Sequence, residues 1–131
     1  METSGDQINK KVNIQEVGIE FIDFYFQNIK NNLNILYESN MIRNHTRIRY
    51  KNIEYKEHEL FNLLNQLGTQ LNFFGEETIV MDSGARRADV LVNGYITQND
   101  NLNKIRFCQY FTIANNHDGW FIHNSLLSIL F

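Results

Sequence analysis

Between Arg43 and Lys51 the sequence alternates, so Arg43, His45, Arg47, Arg49 and Lys51 fall on one side of an extended strand while Ile42, Ile48 and Tyr50 fall toward the other. Such a row of cationic and protonatable groups can meet phosphates, and Tyr50 and Tyr55 stand near enough in sequence to stack on bases. It equally suits an acidic protein segment, a solvated face, or an edge strand kept from pairing with another chain. Acid–base chemistry would fall instead to Asp82, Asp89, His123, Tyr25 or Tyr37, each of which would need a shifted pKa in an apolar setting. Asp82 ends a strand, where a solvated turn carboxylate is the ordinary reading. His123 shares its strand face with Phe121 and Leu127, which suits a structural histidine as well as a base. No His/Asp or Glu/Lys pair has a spacing that brings its members together locally. Cys108, the single cysteine, excludes an internal disulfide and a multi-cysteine metal site. Its mid-strand position suits a small packing residue rather than a nucleophile.

A chain of 131 residues, 43% of them hydrophobic, is one domain with a real core. No apolar run approaches the roughly 18 residues that span a bilayer. Met1 to Lys10 is polar, with no apolar secretory segment behind it, so a soluble intracellular protein is expected. A formal charge of -3 and a pI near 5.8 give no global field favouring nucleic acid. RNA contact would therefore be local, along the basic stripe.

The elements that must position these groups follow from periodicity. Residues 1–13 read as a polar tail, and 14–131 as the domain. Ile14, Val17, Phe21, Phe24, Tyr25 and Asn28 form one helical stripe, and Leu33, Leu36 and Tyr37 a short second helix. A strand is expected over 43–52. Helical spacing returns from Lys56 to Leu71, with Leu60, Leu63, Leu64, Leu67 and Leu71 on one side. Strands are expected at 77–82, 88–98, 105–114 and 120–131, the last two joined as a long hairpin through a four-residue polar turn. Helices followed by a run of strands indicate an α+β fold with a largely antiparallel sheet.

The landmarks in this order resemble the nuclear transport factor 2 family over nearly the whole chain from Val17 onward. VGIEFIDFYF, Val17 to Phe26, is similar to the family's opening helix, in which a Val-Gly pair precedes a Phe and two adjacent aromatics. NILYESN, Asn34 to Asn40, resembles its second helix. IVMDSG, Ile79 to Gly84, and DVLVNGYI, Asp89 to Ile96, resemble the strand ending in Asp and the strand of form V-L-V-x-G. RFCQYFTIA, from Arg106, is similar to R-F-x-Q-x-F-x-L, and GWFIHNS, from Gly119, to the closing G-x-x-x-x-N-D. The resemblance implies a cone in which a bent sheet wraps three helices around an apolar cavity. Phe21, Tyr25, Tyr37 and Leu64 are the expected cavity residues.

Two uses of that scaffold are implied. One group of the family binds proteins in transport through nuclear pores and dimerises through the sheet; another, mostly bacterial, does acid–base chemistry inside the cone. Carriers of the GTPase Ran in its GDP form present acidic residues near the strand after the second helix and in the turn after the V-x-G strand. Here that strand reads Arg47, Arg49, Lys51, and the turn Gln98-Asn99-Asp100-Asn101 holds one carboxylate. The closing motif has Asn124-Ser125 for Asn-Asp. The expectation is therefore a non-enzymatic, protein-binding adaptor without cofactor or metal, a homo- or heterodimer serving mRNA export in nucleus, cytoplasm and nuclear pore. Its partners would be itself, a larger export receptor or phenylalanine-repeat nucleoporins. Phe107, Gln109, Phe111, Trp120 and Ile122 are the expected partner face. The alternatives are Ran-GDP carriage, a stress-granule-type module binding phenylalanine-bearing peptides, and a small enzyme.

Overall fold

The computed structural model describes residues 13–131, so the expected tail, apart from Asn13, lies outside the described residues. Asn13 caps the first helix, α1 (Ile14–Asn31): its side-chain oxygen accepts from the Glu16 amide at 3.2 Å, satisfying a donor that the helix leaves free. A second helix, α2 (Leu33–Glu38), follows at once. The chain then makes a hairpin of β1 (Arg47–Tyr50) and β2 (Ile53–Lys56) where one strand over 43–52 was expected. Lys51 and Asn52, both at positive φ, make its two-residue turn. Arg43 to Thr46 is a loop, pinned by Thr46, whose hydroxyl accepts from the Arg43 amide and donates to the Ile122 carbonyl at 2.7 Å.

The third helix, α3 (Glu57–Gln70), passes directly into β3 (Leu71–Asp82), which starts six residues before the expected strand at 77–82. Phe73 and Phe74 are strand formers, and Leu71 already has extended dihedrals. Then come β4 (Arg87–Gln98), β5 (Asn101–Asn116) and β6 (Gly119–Ile129). The β5–β6 connection is a two-residue turn at His117 and Asp118 rather than a four-residue one, with Gly119 at φ +103.

The strands form one sheet in the order β2-β1-β6-β5-β4-β3. Every pairing is antiparallel except β1 with β6. The helices cover its inner face, giving the α+β architecture expected. α3 crosses α1 closely because Gly68 has no side chain: a Cβ there would lie 1.9 Å from the Ile29 carbonyl oxygen. The core between helices and sheet is aromatic. Tyr25 and Phe26 of α1 meet Phe111 and Phe107 of β5 edge-on, with centroids 5.1 to 6.1 Å apart.

Candidate protein-binding surface

Alternation along β5 sends Phe107, Gln109, Phe111 and Ile113 to one face and Arg106, Cys108, Tyr110 and Thr112 to the other. The first set points inward. Phe107, Gln109, Phe111 and Ile122 are buried against the helices, and Trp120 is packed half-buried against the same core. The expected partner face is thus the core face, because α1 brings Tyr25 and Phe26 onto those aromatics. On β6 the alternation itself slips. Ile113 pairs with Ile122 and Thr112 with Asn124, so His123 is an extra residue in a bulge. Ile122, Ser125 and Leu127 therefore all face inward, while Phe121 faces out beneath Arg43; His123 does not share a face with Leu127.

The outer face carries a continuous apolar row across four strands. Leu126 pairs with Tyr110, Tyr110 with Leu91, and Leu91 with Ile79. Leu126 is 49% exposed and Ile79 41%, and Met81 and Phe74 on β3 are exposed beside them. Among the described residues no helix covers this row. Sequence periodicity missed it because two alternating faces look alike until one is anchored. The anchor was present: Arg106 on β5 and Asp89 on β4 mark the solvent side.

The basic stripe is divided between two places. Arg47 and Arg49 extend the outer face, paired in register with Asn124 and Leu126, and both reach Glu54 of β2 at 3.8 Å. Arg43 and His45 come from the preceding loop. Arg43 lays its guanidinium 3.9 Å above the Phe121 ring, and His45 meets the same ring edge-on at 5.2 Å. Lys51 departs: in the β1–β2 turn, its ammonium lies over the rings of Tyr50 and Phe131, at the mouth of the cone. That mouth is an open pocket of about 660 Å³, floored by Leu63, Leu67 and Leu71 and rimmed by Gln98, Asn99, Asp100 and Lys51.

Inside the cone, Phe21, Tyr25 and Leu64 are buried, and Tyr37 is half-buried against Phe61. Tyr25 is hydrogen-bonded to Gln109, whose amide donates to Ser125 at 3.0 Å. Burial pushes the Tyr25 hydroxyl well above its ordinary pKa, against the opposing effect of the Gln109 bond, and pushes Tyr37 up to about 12. Both phenols stay protonated at neutral pH. Among the described residues the Tyr37 hydroxyl has no hydrogen-bond partner.

The remaining acid–base candidates lie outside the cone. Asp89, on the outer face, accepts from Tyr110 at 2.7 Å, Thr112 at 3.0 Å and Ser83. Burial raises its carboxyl, but those three bonds and the Arg87 charge outweigh it and leave the group below its ordinary value. Asp82 is exposed and accepts from the Gly84 amide, an ordinary turn role. Burial, Arg87 and His45 together hold His123 below the usual histidine range. Cys108 is half-buried on the outer face, and burial raises its thiol. Among the described residues no group of three His, Cys, Asp or Glu side chains could hold a metal ion, and no helix is long and apolar enough to cross a membrane.

No protein-family model matches the sequence, and no curated protein matches it. Solved structures do. Nuclear transport factor 2 from Cryptosporidium parvum superposes with a TM-score of 0.74 at 18% identity, over 92% of this chain and 98% of that one. The yeast complex of the deubiquitinase Ubp3 and its Bre5 cofactor gives 0.74 at 11% identity, over 92% and 99%. A protein of Shewanella frigidimarina described as a ketosteroid isomerase gives 0.68 at 11% identity, over 83% and 92%. A nuclear transport factor, a deubiquitinase–cofactor complex and a protein described as an isomerase thus share this architecture, and the chain has the nuclear transport factor 2-like fold.

Proposed function

We propose that this chain is a non-enzymatic protein-binding adaptor that engages its partner through the outer face of the sheet. The carrying observation is the row Leu126–Tyr110–Leu91–Ile79, apolar, partly exposed and left uncovered by the fold's own helices. A rigid sheet presents such a row at about 4.8 Å per strand, a flat apolar centre around which polar contacts set register. Of the acid–base candidates, Asp82, Asp89 and His123 lie outside the cone, and Tyr25 and Tyr37, inside it, are phenols held protonated. This favours recognition over catalysis.

The finer reading is a dimerising cofactor of nucleocytoplasmic transport, serving mRNA export between nucleus, cytoplasm and nuclear pore. It is supported by the resemblance, and by a cone mouth whose rim carries Lys51 and one carboxylate, Asp100, where a Ran carrier would cluster carboxylates. A lysine-bearing partner meets repulsion there. The test is affinity capture from the source cell with the wild-type chain and with Leu126→Asp. Recovery of a large export receptor by wild type alone is expected. Recovery of Ran-GDP in a one-to-one complex, equally by both, would overturn the adaptor reading.

A further inference from the structure

Four cationic or protonatable groups from three parts of the chain converge at one end of the outer face. Arg43 and His45 come from the loop before β1, Arg87 from the start of β4 and His123 from the β6 bulge. His45 lies 6.2 Å from His123, centroid to centroid, and meets edge-on the Phe121 ring that Arg43 covers. Arg87 is two strands away in the same register, through Ala114 to Phe121. Arg47 continues the patch beside Asn124. Among the described residues no carboxylate lies within 4 Å of Arg43, His45, Arg87 or His123.

The carboxylates of this face are already engaged. Asp89, next to Arg87, is bonded by Ser83, Tyr110 and Thr112; Glu54 is shared by Arg47 and Arg49; Glu76 binds Arg106 at 2.7 Å; Glu77 accepts from Asn93. A chain of net charge -3 therefore presents an excess of cations on the one face that is also apolar. A second copy docking through this same face would bring the same excess of cations, and like charges face to face oppose such a pairing. A polyanion such as RNA would meet the cations but not the adjoining row of Leu126, Tyr110, Leu91 and Ile79. A protein surface can meet both.

Resting on the outer-face reading above, we propose that the partner is a different protein, whose contacting surface sets carboxylates against Arg43, His45, Arg87 and His123 beside an apolar centre. Such a carboxylate reverses the effect that Arg87 and His45 have on His123 and favours its protonated form. Binding then takes up protons, and the complex tightens as pH falls through the histidine range.

The test is an NMR titration of the chain with short model peptides of alternating Glu and Leu, or Ser and Leu, and with oligouridylate, at about pH 7.5 and about pH 5.5. The Glu–Leu peptide is expected to shift His45, Phe121 and His123 along with Tyr110 and Leu126, and to bind roughly fivefold tighter at the lower pH. The double variant His45→Gln/His123→Gln should lose that gain, and Arg87→Gln should weaken binding roughly fivefold at both pH values. If Ser–Leu binds as well and leaves the histidines unmoved, the acidic partner is refuted while the outer-face reading stands. If no peptide shifts the face, both fall. Oligouridylate moving the patch where Glu–Leu does not, or self-association over this face, would each overturn the proposal.

Discussion

Asp89 shows how a candidate catalytic group is recognised as structural once its neighbours are known. Three hydroxyls donate to it, and Arg87 adds a favourable charge, so its folded pKa lies below its unfolded one near 4. Its stabilising contribution is therefore present above the unfolded value and lost as pH falls through the folded one. Asp89→Asn should cost about 1 kcal/mol in urea unfolding at neutral pH, and nothing once the pH has fallen through the folded pKa and wild type is itself protonated. An undiminished difference at that pH would place the effect in packing instead. Phe111 is the contrasting residue. Fully buried against Tyr25 and Phe26, it should cost about 3 to 5 kcal/mol as Phe111→Ala, read from the same unfolding curves.

Among the elements, the helices were legible because their apolar stripes repeat every three or four residues and face one way. Glu57 to Gln70 follows its leucines almost to the residue. The strands' existence was legible too, but not which side they bury, since a period of two has no sign. Phe107 and Phe111 look like an interface until α1 is seen to lie on them. The β6 bulge at His123 and the β1–β2 turn at Lys51 and Asn52 both defeat strict alternation through local backbone geometry that residue type signals weakly. Close approach is a further feature that spacing cannot reveal. Gly68 sits inside α3 as the point of contact with the Ile29 carbonyl. Gly68→Ala should force α3 off α1 and cost about 3 kcal/mol in denaturant midpoint, despite alanine's better helix propensity. A neutral or stabilising result would mean that the helices part without loss.

At the scale of the molecule, the fold is asymmetric in a way that separates stability from association. One face of the sheet is sealed by three helices, while the other keeps Leu126, Tyr110, Leu91 and Ile79 in water. A charge on the sealed side enters the core, so Phe111→Asp should abolish folding. A charge on the open side meets solvent in the isolated chain, so Leu126→Asp should change the stability of that chain by no more than about 0.5 kcal/mol. Mass action then gives the two faces different signatures. A partner that binds only the folded chain raises the melting temperature as its concentration rises, by about 2.7 kcal/mol of stability at a hundredfold excess over Kd. Wild type should show that rise with the captured partner, and Leu126→Asp should melt at one temperature whatever the partner concentration. If Leu126→Asp follows the wild-type curve, the open face is not where the partner sits, and the mouth of the cone at Lys51 and Asp100 becomes the surface to vary next.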